Sequence, residues 1–141
     1  MNIPRRLVAP LLLIVLCSTV LFGCAKPAKS PESAAAELRE AGYFVSEDTE
    51  VLPDVFQKLD CELTTVISAS KKIAEEKGAD GIEYVCIYYF ADKEDAKKAL
   101  STVEKYASED EDDAAASEWI APKRSGNMIF YGTKKAIKAA R

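Results

Sequence analysis

Ile82-Glu83-Tyr84-Val85-Cys86-Ile87-Tyr88-Tyr89-Phe90 is a nine-residue run in which Glu83 is the only charge, and β-branched or aromatic side chains stand at both odd and even positions. Successive side chains of a strand point to opposite faces, so a run that is apolar at both parities leaves no face for water. The run predicts a strand in the middle of a sheet, or one with helices on one face and aromatic residues on the other.

Upstream, Cys61 to Ala69 alternates, with Cys61, Leu63, Thr65, Ile67 and Ala69 on one side, which predicts a half-buried strand. Lys71 to Gly81 is polar and ends in Gly78-Ala79-Asp80-Gly81, a turn that joins the two strands as a hairpin. Earlier still, Ser30-Pro31-Glu32 supplies an N-cap, a proline in the first turn and an acid at the positive end of the dipole. With Ala34, Ala35, Leu38 and Ala41 as the apolar stripe and Gly42 as the stop, this predicts a helix over 31–41 and a strand from Tyr43-Phe44-Val45. Leu52, Val55, Phe56 and Leu59 have helical spacing behind Pro53, a short helix of two turns.

Downstream, Asp92 caps a helix that runs to Ala107, with Glu94 and Lys98 as an i,i+4 pair and Ala96, Ala99, Leu100, Val103 and Ala107 on one face. The acids from Ser108 to Asp113, followed by Ala114 to Ser117, read as a loop. Glu118 to Pro122 and Asn127 to Tyr131 bracket Lys123-Arg124-Ser125-Gly126, a hairpin turn in which glycine supplies positive φ. Gly132-Thr133 ends the second strand and caps a last helix, Lys134 to Arg141, whose two leading lysines oppose the dipole and which depends on docking of Ile137. Hairpins dominate this order. It predicts an α+β fold, a two-layer sandwich with a largely antiparallel sheet of about five strands and helices on one face.

The chain opens differently. Met1 to Arg6 carries Arg5 and Arg6 and no acid, and Leu7 to Phe22 is apolar except at Pro10, Ser18 and Thr19. A basic start, a short apolar run and small residues at its end are the parts of a secretion signal. The run is shorter than the ~20 residues a spanning helix needs. Basic residues stay on the cytoplasmic side, so everything after the run is expected to be extracytoplasmic. The run ends at Leu21-Phe22-Gly23-Cys24, which resembles the lipobox of bacterial lipoproteins, with Phe22 a departure from the small or aliphatic residue usual there. The resemblance implies cleavage before Cys24 and a diacylglyceryl thioether on its sulfur; the other reading is cleavage after Ala25 with an ordinary thiol at Cys24. At about 0.8 kcal/mol per buried methylene, two acyl chains hold a protein stably where one does not. The domains are then a signal at 1–23, a lipidated cysteine and tether at 24–31, and one α+β domain at 32–141. Lys26, Pro27, Lys29 and Ser30 make the tether polar and rich in breakers, too much so to join a core.

With Arg5 and Arg6 gone, 17 bases face 23 acids, a net charge of −6. Net acidity argues against nucleic acid as a partner and assigns the membrane contact to the lipid alone. The absence of histidine removes the commonest general base and the commonest zinc ligand together. No motif calls for a cofactor or a metal. Glu109 to Asp113 has oxygen ligands suited to calcium but lacks the alternation and glycine of an EF-hand loop, so it reads as a solvated run. Glu83, Asp80 and Lys123 form no recognisable acid-base set.

Cys61 and Cys86 remain once Cys17 and Cys24 are accounted for. The compartment permits a disulfide between them, worth ~3 kcal/mol for a loop of this length. A hairpin centred on Gly78 instead sets Cys61 opposite the region after Phe90, and two buried thiols are the other reading. Tyr84, Tyr88 and Trp119 form an aromatic platform for a sugar or a protein partner if their face carries no helices, and are core filler otherwise. The blocks from Arg124-Ser125-Gly126-Asn127 to Gly132-Thr133-Lys134-Lys135-Ala136 resemble small uncharacterised surface lipoproteins of Firmicutes. That resemblance implies no site. The residues thus point to a membrane-anchored binding domain without catalysis, with a carboxylate-dependent surface hydrolase and an inhibitor or accessory subunit acting through an exposed strand as the alternatives.

Overall fold

The computed structural model describes residues 26–50, 53–73, 81–111 and 118–141. The expected signal with Cys24, the expected turn at Gly78-Ala79-Asp80 and residues 112–117 lie outside this set. The elements are α1 (Pro31–Glu40), β1 (Phe44–Asp48), α2 (Asp54–Lys58), β2 (Leu63–Lys72), β3 (Ile82–Phe90), α3 (Lys93–Glu111), β4 (Trp119–Ser125), β5 (Met128–Thr133) and α4 (Lys134–Ala139). The five strands form one antiparallel sheet in the order β1-β2-β3-β5-β4. The α+β class and the central place of Ile82–Phe90 are as the sequence indicates.

The layers differ from the two-layer expectation, because helices cover both faces. Val85, Ile87 and Tyr89 pack with Ile67, Phe130, Leu38 of α1 and Ile137 of α4. The alternate residues Cys86, Tyr88 and Phe90 pack with Ile129, Tyr131, Phe56 of α2 and Val103 of α3. A strand apolar at both parities needs a layer on each side. Each fully buried isoleucine or leucine in these layers contributes ~1.5–3 kcal/mol.

Local irregularities set which residue faces which layer. A bulge between Leu63 and Thr65 puts one extra residue in β2, so Leu63 pairs with Phe90 but Thr65 with Tyr89. Cys61 and Leu63 consequently lie on the α3 side, while Ile67 and Ala69 lie on the α1 side. Simple alternation would have put all of them together. A second irregularity, between Ile120 and Lys123, accommodates Pro122 in edge strand β4, where a missing amide does least harm. The β4–β5 turn is tighter than the bracketed Lys123–Gly126: Ser125 pairs with Met128, and Gly126, at φ 61, takes the first place of a two-residue loop.

Helix ends also differ. Asp92 does cap α3, accepting from the Asp95 amide at 2.9 Å. The expected Glu94–Lys98 pair gives way to Glu94–Lys97 and Asp95–Lys98, both at i,i+3. The helix continues to Glu111, through residues expected to be loop. Thr133 occupies the N-cap position of α4 without capping it. Its hydroxyl instead accepts from the Tyr84 amide at 3.2 Å and donates to the Tyr84 carbonyl at 3.3 Å.

Part of the stretch expected to be a free tether lies on the domain. Pro27 is buried, and the Ala28 amide donates to the Ala140 carbonyl at 2.8 Å. The Ala28 carbonyl in turn accepts from the Tyr89 hydroxyl at 2.8 Å. A breaker-rich segment is excluded from helices and sheets, not from lying on a core.

Gly132 lies opposite Val85 with φ 141, and a Cβ there would stand 2.1 Å from the Tyr84 carbonyl oxygen. Gly132→Ala is expected to lower unfolding stability in urea by about 3 kcal/mol or more, combining backbone strain with the collision. Gly126→Ala, which meets nothing within 4 Å, should lose only ~1–2 kcal/mol from the positive φ itself.

Candidate functional site

The chemistry-bearing side chains of β3 alternate between the two layers. Tyr84, Cys86 and Tyr88 face α3, and Tyr131 of β5 stands beside Cys86. Tyr131 stacks on Tyr88 at 6.3 Å between ring centres, and Trp119 packs against it at 5.9 Å. Asp110, in the last turn of α3, accepts from the Tyr131 hydroxyl at 2.6 Å and from the Tyr84 hydroxyl at 3.3 Å. The result is a knot of phenols around one thiol, closed by a carboxylate.

Tyr84, Tyr88 and Trp119 therefore do share a face, but α3 lies over it. Tyr88 is buried, and Tyr84 and Trp119 are partly buried, so they do not form the open platform expected for a sugar or protein. The reason is the two-sided apolarity of β3, which draws a helix onto this face as well.

Cys61 and Cys86 are both free and buried. Cys86 pairs with Ser68, whereas Cys61 precedes Leu63, the partner of Phe90. Four residue steps along the strand lead from Cys86 to Phe90, ~13 Å at 3.3 Å per step. A disulfide needs Cα atoms within about 7 Å. The observed register is the one expected of the hairpin, with Cys61 beyond Phe90, and it rules out the possible bridge. Burial pushes the Cys86 thiol up to about 11, although the hydroxyls of Tyr131, Tyr88 and Tyr84 work in the opposite direction. The Cys61 thiol is also raised, by burial and then by Asp95. Thiolate is the reactive form, so both sulfurs are held in their inert state.

Two smaller clusters complete the inventory. Gln57, Asp60, Cys61, Glu62, Asp95 and Lys98 line an open depression of about 410 Å³ at the start of β2. Two of its charged groups are tied into the structure: Asp95 accepts from the Glu62 amide at 3.1 Å, and Lys98 donates to the Asp60 carbonyl at 3.4 Å. These bonds fasten the approach to β2 onto the first turn of α3. On the other face, the Tyr43 hydroxyl donates to Glu83, which also lies 3.9 Å from the Lys135 ammonium. Asp80 lies outside the described residues, and Lys123 is exposed on edge strand β4.

The calcium reading of the acidic run changes as well. Glu109, Asp110 and Glu111 belong to α3 and not to a loop, and Asp110 is turned inward to the two phenols. Among the described residues no group of three or more acidic or sulfur ligands is arranged for a metal. Asp110 is the site residue that sequence reasoning missed. Its spacing carried the signal, because it continues the buried stripe Ala96, Ala99, Val103 and Ala107.

No protein-family model, curated protein or solved structure matches the chain.

Burial comes first among the causes that raise the phenols of Tyr43, Tyr84, Tyr88, Tyr89 and Tyr131 well above the usual tyrosine range. A raised folded-state value means that the native chain keeps protons which the unfolded chain releases, so stability falls as pH rises. Urea unfolding should be unchanged from pH 7 to about 7.5. It should weaken from about pH 8 to 8.5 as the unfolded thiols ionise, and further from about pH 10 as the unfolded tyrosines do. An aromatic-thiol reagent should react with neither Cys61 nor Cys86 in the native protein and with both in denaturant; a disulfide would leave both silent under non-reducing conditions.

Proposed function

We propose that the chain is a lipid-anchored extracytoplasmic protein whose single domain acts by binding and not by catalysis. The observation that carries the reading is Leu21-Phe22-Gly23-Cys24 at the end of the apolar run behind Arg5 and Arg6. Cys24 would be held in the membrane through its acyl chains, and the residues from Lys26 onward would lie outside.

The domain's own chemistry supports binding. Its thiols and most of its phenols are buried in their neutral forms, and Asp110, Asp95 and Glu83 are engaged by donors from the protein itself. A hydrolase needs carboxylates free to meet a substrate. A protein segment is the partner best suited to what remains open. β1 is an edge strand, and Phe44 at its start is 79% exposed. An extended segment pairing with such an edge gains main-chain hydrogen bonds, and a neighbouring aromatic residue adds an anchor. The inhibitor or accessory-subunit reading would use this same edge.

Mass spectrometry of the protein extracted from its native membrane tests the anchor. The wild type should begin at Cys24 and carry the diacylglyceryl mass, and Cys24→Ala should lack it and accumulate with its signal uncleaved. A wild-type protein that is unmodified and free of the membrane would overturn the reading.

A further inference from the structure

Six of the bases that follow Cys24 fall in two short stretches with no acid: Lys26 and Lys29 before α1, and Lys134, Lys135, Lys138 and Arg141 in and after α4. The bond from the Ala28 amide to the Ala140 carbonyl brings the two stretches side by side. All six side chains are exposed. Lys134 and Lys135, in the first turn of α4, lie within 4 Å of Glu118 and Glu83. Lys26, Lys29, Lys138 and Arg141 make no ion pair among the described residues. Glu32, at the start of α1, is an acid felt by the Tyr89 phenol that bonds Ala28.

Two residues separate Cys24 from the buried Pro27, three steps of chain with a reach of at most ~11 Å. A lipid on Cys24 would therefore hold the domain by this basic end. Resting on the anchor reading, we infer that Lys26, Lys29, Lys138 and Arg141 form a docking surface for the anionic phospholipid headgroups of the bilayer that holds Cys24, and orient the domain with α3 pointing away.

The overall charge of −6 does not oppose this. At physiological salt, charges are screened over ~8 Å. A domain of this size is roughly 30 Å across. Helix α3 and its acids lie on the opposite side of the sheet from α4, and the acids on the α4 side are those of α1, Glu32, Glu37 and Glu40. Local charge decides the contact, so the expectation that the acyl chains act alone does not follow from net acidity. Acyl chains restrain position but not rotation, and a basic patch beside them supplies the orientation.

The test uses the mature lipidated protein reconstituted into vesicles of phosphatidylcholine, or of equal parts phosphatidylcholine and phosphatidylglycerol. A membrane-impermeant amine acylating reagent is applied, and each lysine is read by mass spectrometry. On the mixed vesicles, labelling of Lys26, Lys29 and Lys138 should fall about fivefold relative to phosphatidylcholine, the scale of one base at an anionic surface. Labelling of Lys97 and Lys105 on α3 should not change. The double variant Lys138→Glu, Arg141→Glu, altered only at exposed positions, should restore labelling at Lys26 and Lys29. Equal labelling on the two vesicles by a protein bearing the diacylglyceryl mass would overturn the docking surface alone. An unmodified Cys24 would overturn the anchor and the docking surface with it.

Discussion

A strand that is apolar on both sides has to be covered twice, and the arrangement of the domain follows from that requirement at β3. Val85, Ile87 and Tyr89 draw α1 and α4 to one face, and Cys86, Tyr88 and Phe90 draw α2 and α3 to the other. The neighbouring strands comply in different ways. β2 uses a bulge to divide its apolar residues between the layers, and β5 is buried along its length. Gly132 lets β5 approach β3 where any side chain would strike the Tyr84 carbonyl. The sheet edges are left to β1 and β4.

Covering β3 on its α3 side buries polar atoms, and the protein meets that demand internally. Three phenols and a thiol sit together beneath α3, and Asp110 reaches in from the helix end to accept from two of the hydroxyls. Among the described residues no buried side-chain nitrogen or oxygen lacks a partner. An unpaired buried hydroxyl costs ~1–3 kcal/mol, so this closure keeps the aromatic layer compatible with a stable core. It also explains why a cluster so rich in ionisable groups offers little reactivity. Burial holds the tyrosines and Cys86 neutral, and the one carboxylate present is already committed.

Much of the architecture could be read from patterns of one residue type against its neighbours. The helix starts at Ser30 and Asp92, the edges of β3 and the α+β class all follow from capping residues and periodicity, which act over one or two turns of chain. The site was less legible. Tyr84, Tyr88 and Trp119 share a face as alternation requires, yet their exposure depended on where α3 packed. Asp110 was hidden in a run of acids, because composition there suggested solvent while position on the helix placed it inward. The fates of Cys61 and Cys86 hung on strand register, which a bulge at Thr64 and the hairpin set together.

The sequence by itself determined that a basic start and an apolar run end at a cysteine, that the part after it is acidic and lacks histidine, and that one strand must be buried on both sides. These are properties of local runs and of totals, and no folding is needed to count them. Only the tertiary structure decided that helices cover both faces, that the two thiols stand apart, and that Lys26 and Lys29 lie beside Lys138 and Arg141. Those outcomes join residues distant in the chain, and their physical cause is the packing of whole layers against β3, which no local pattern encodes.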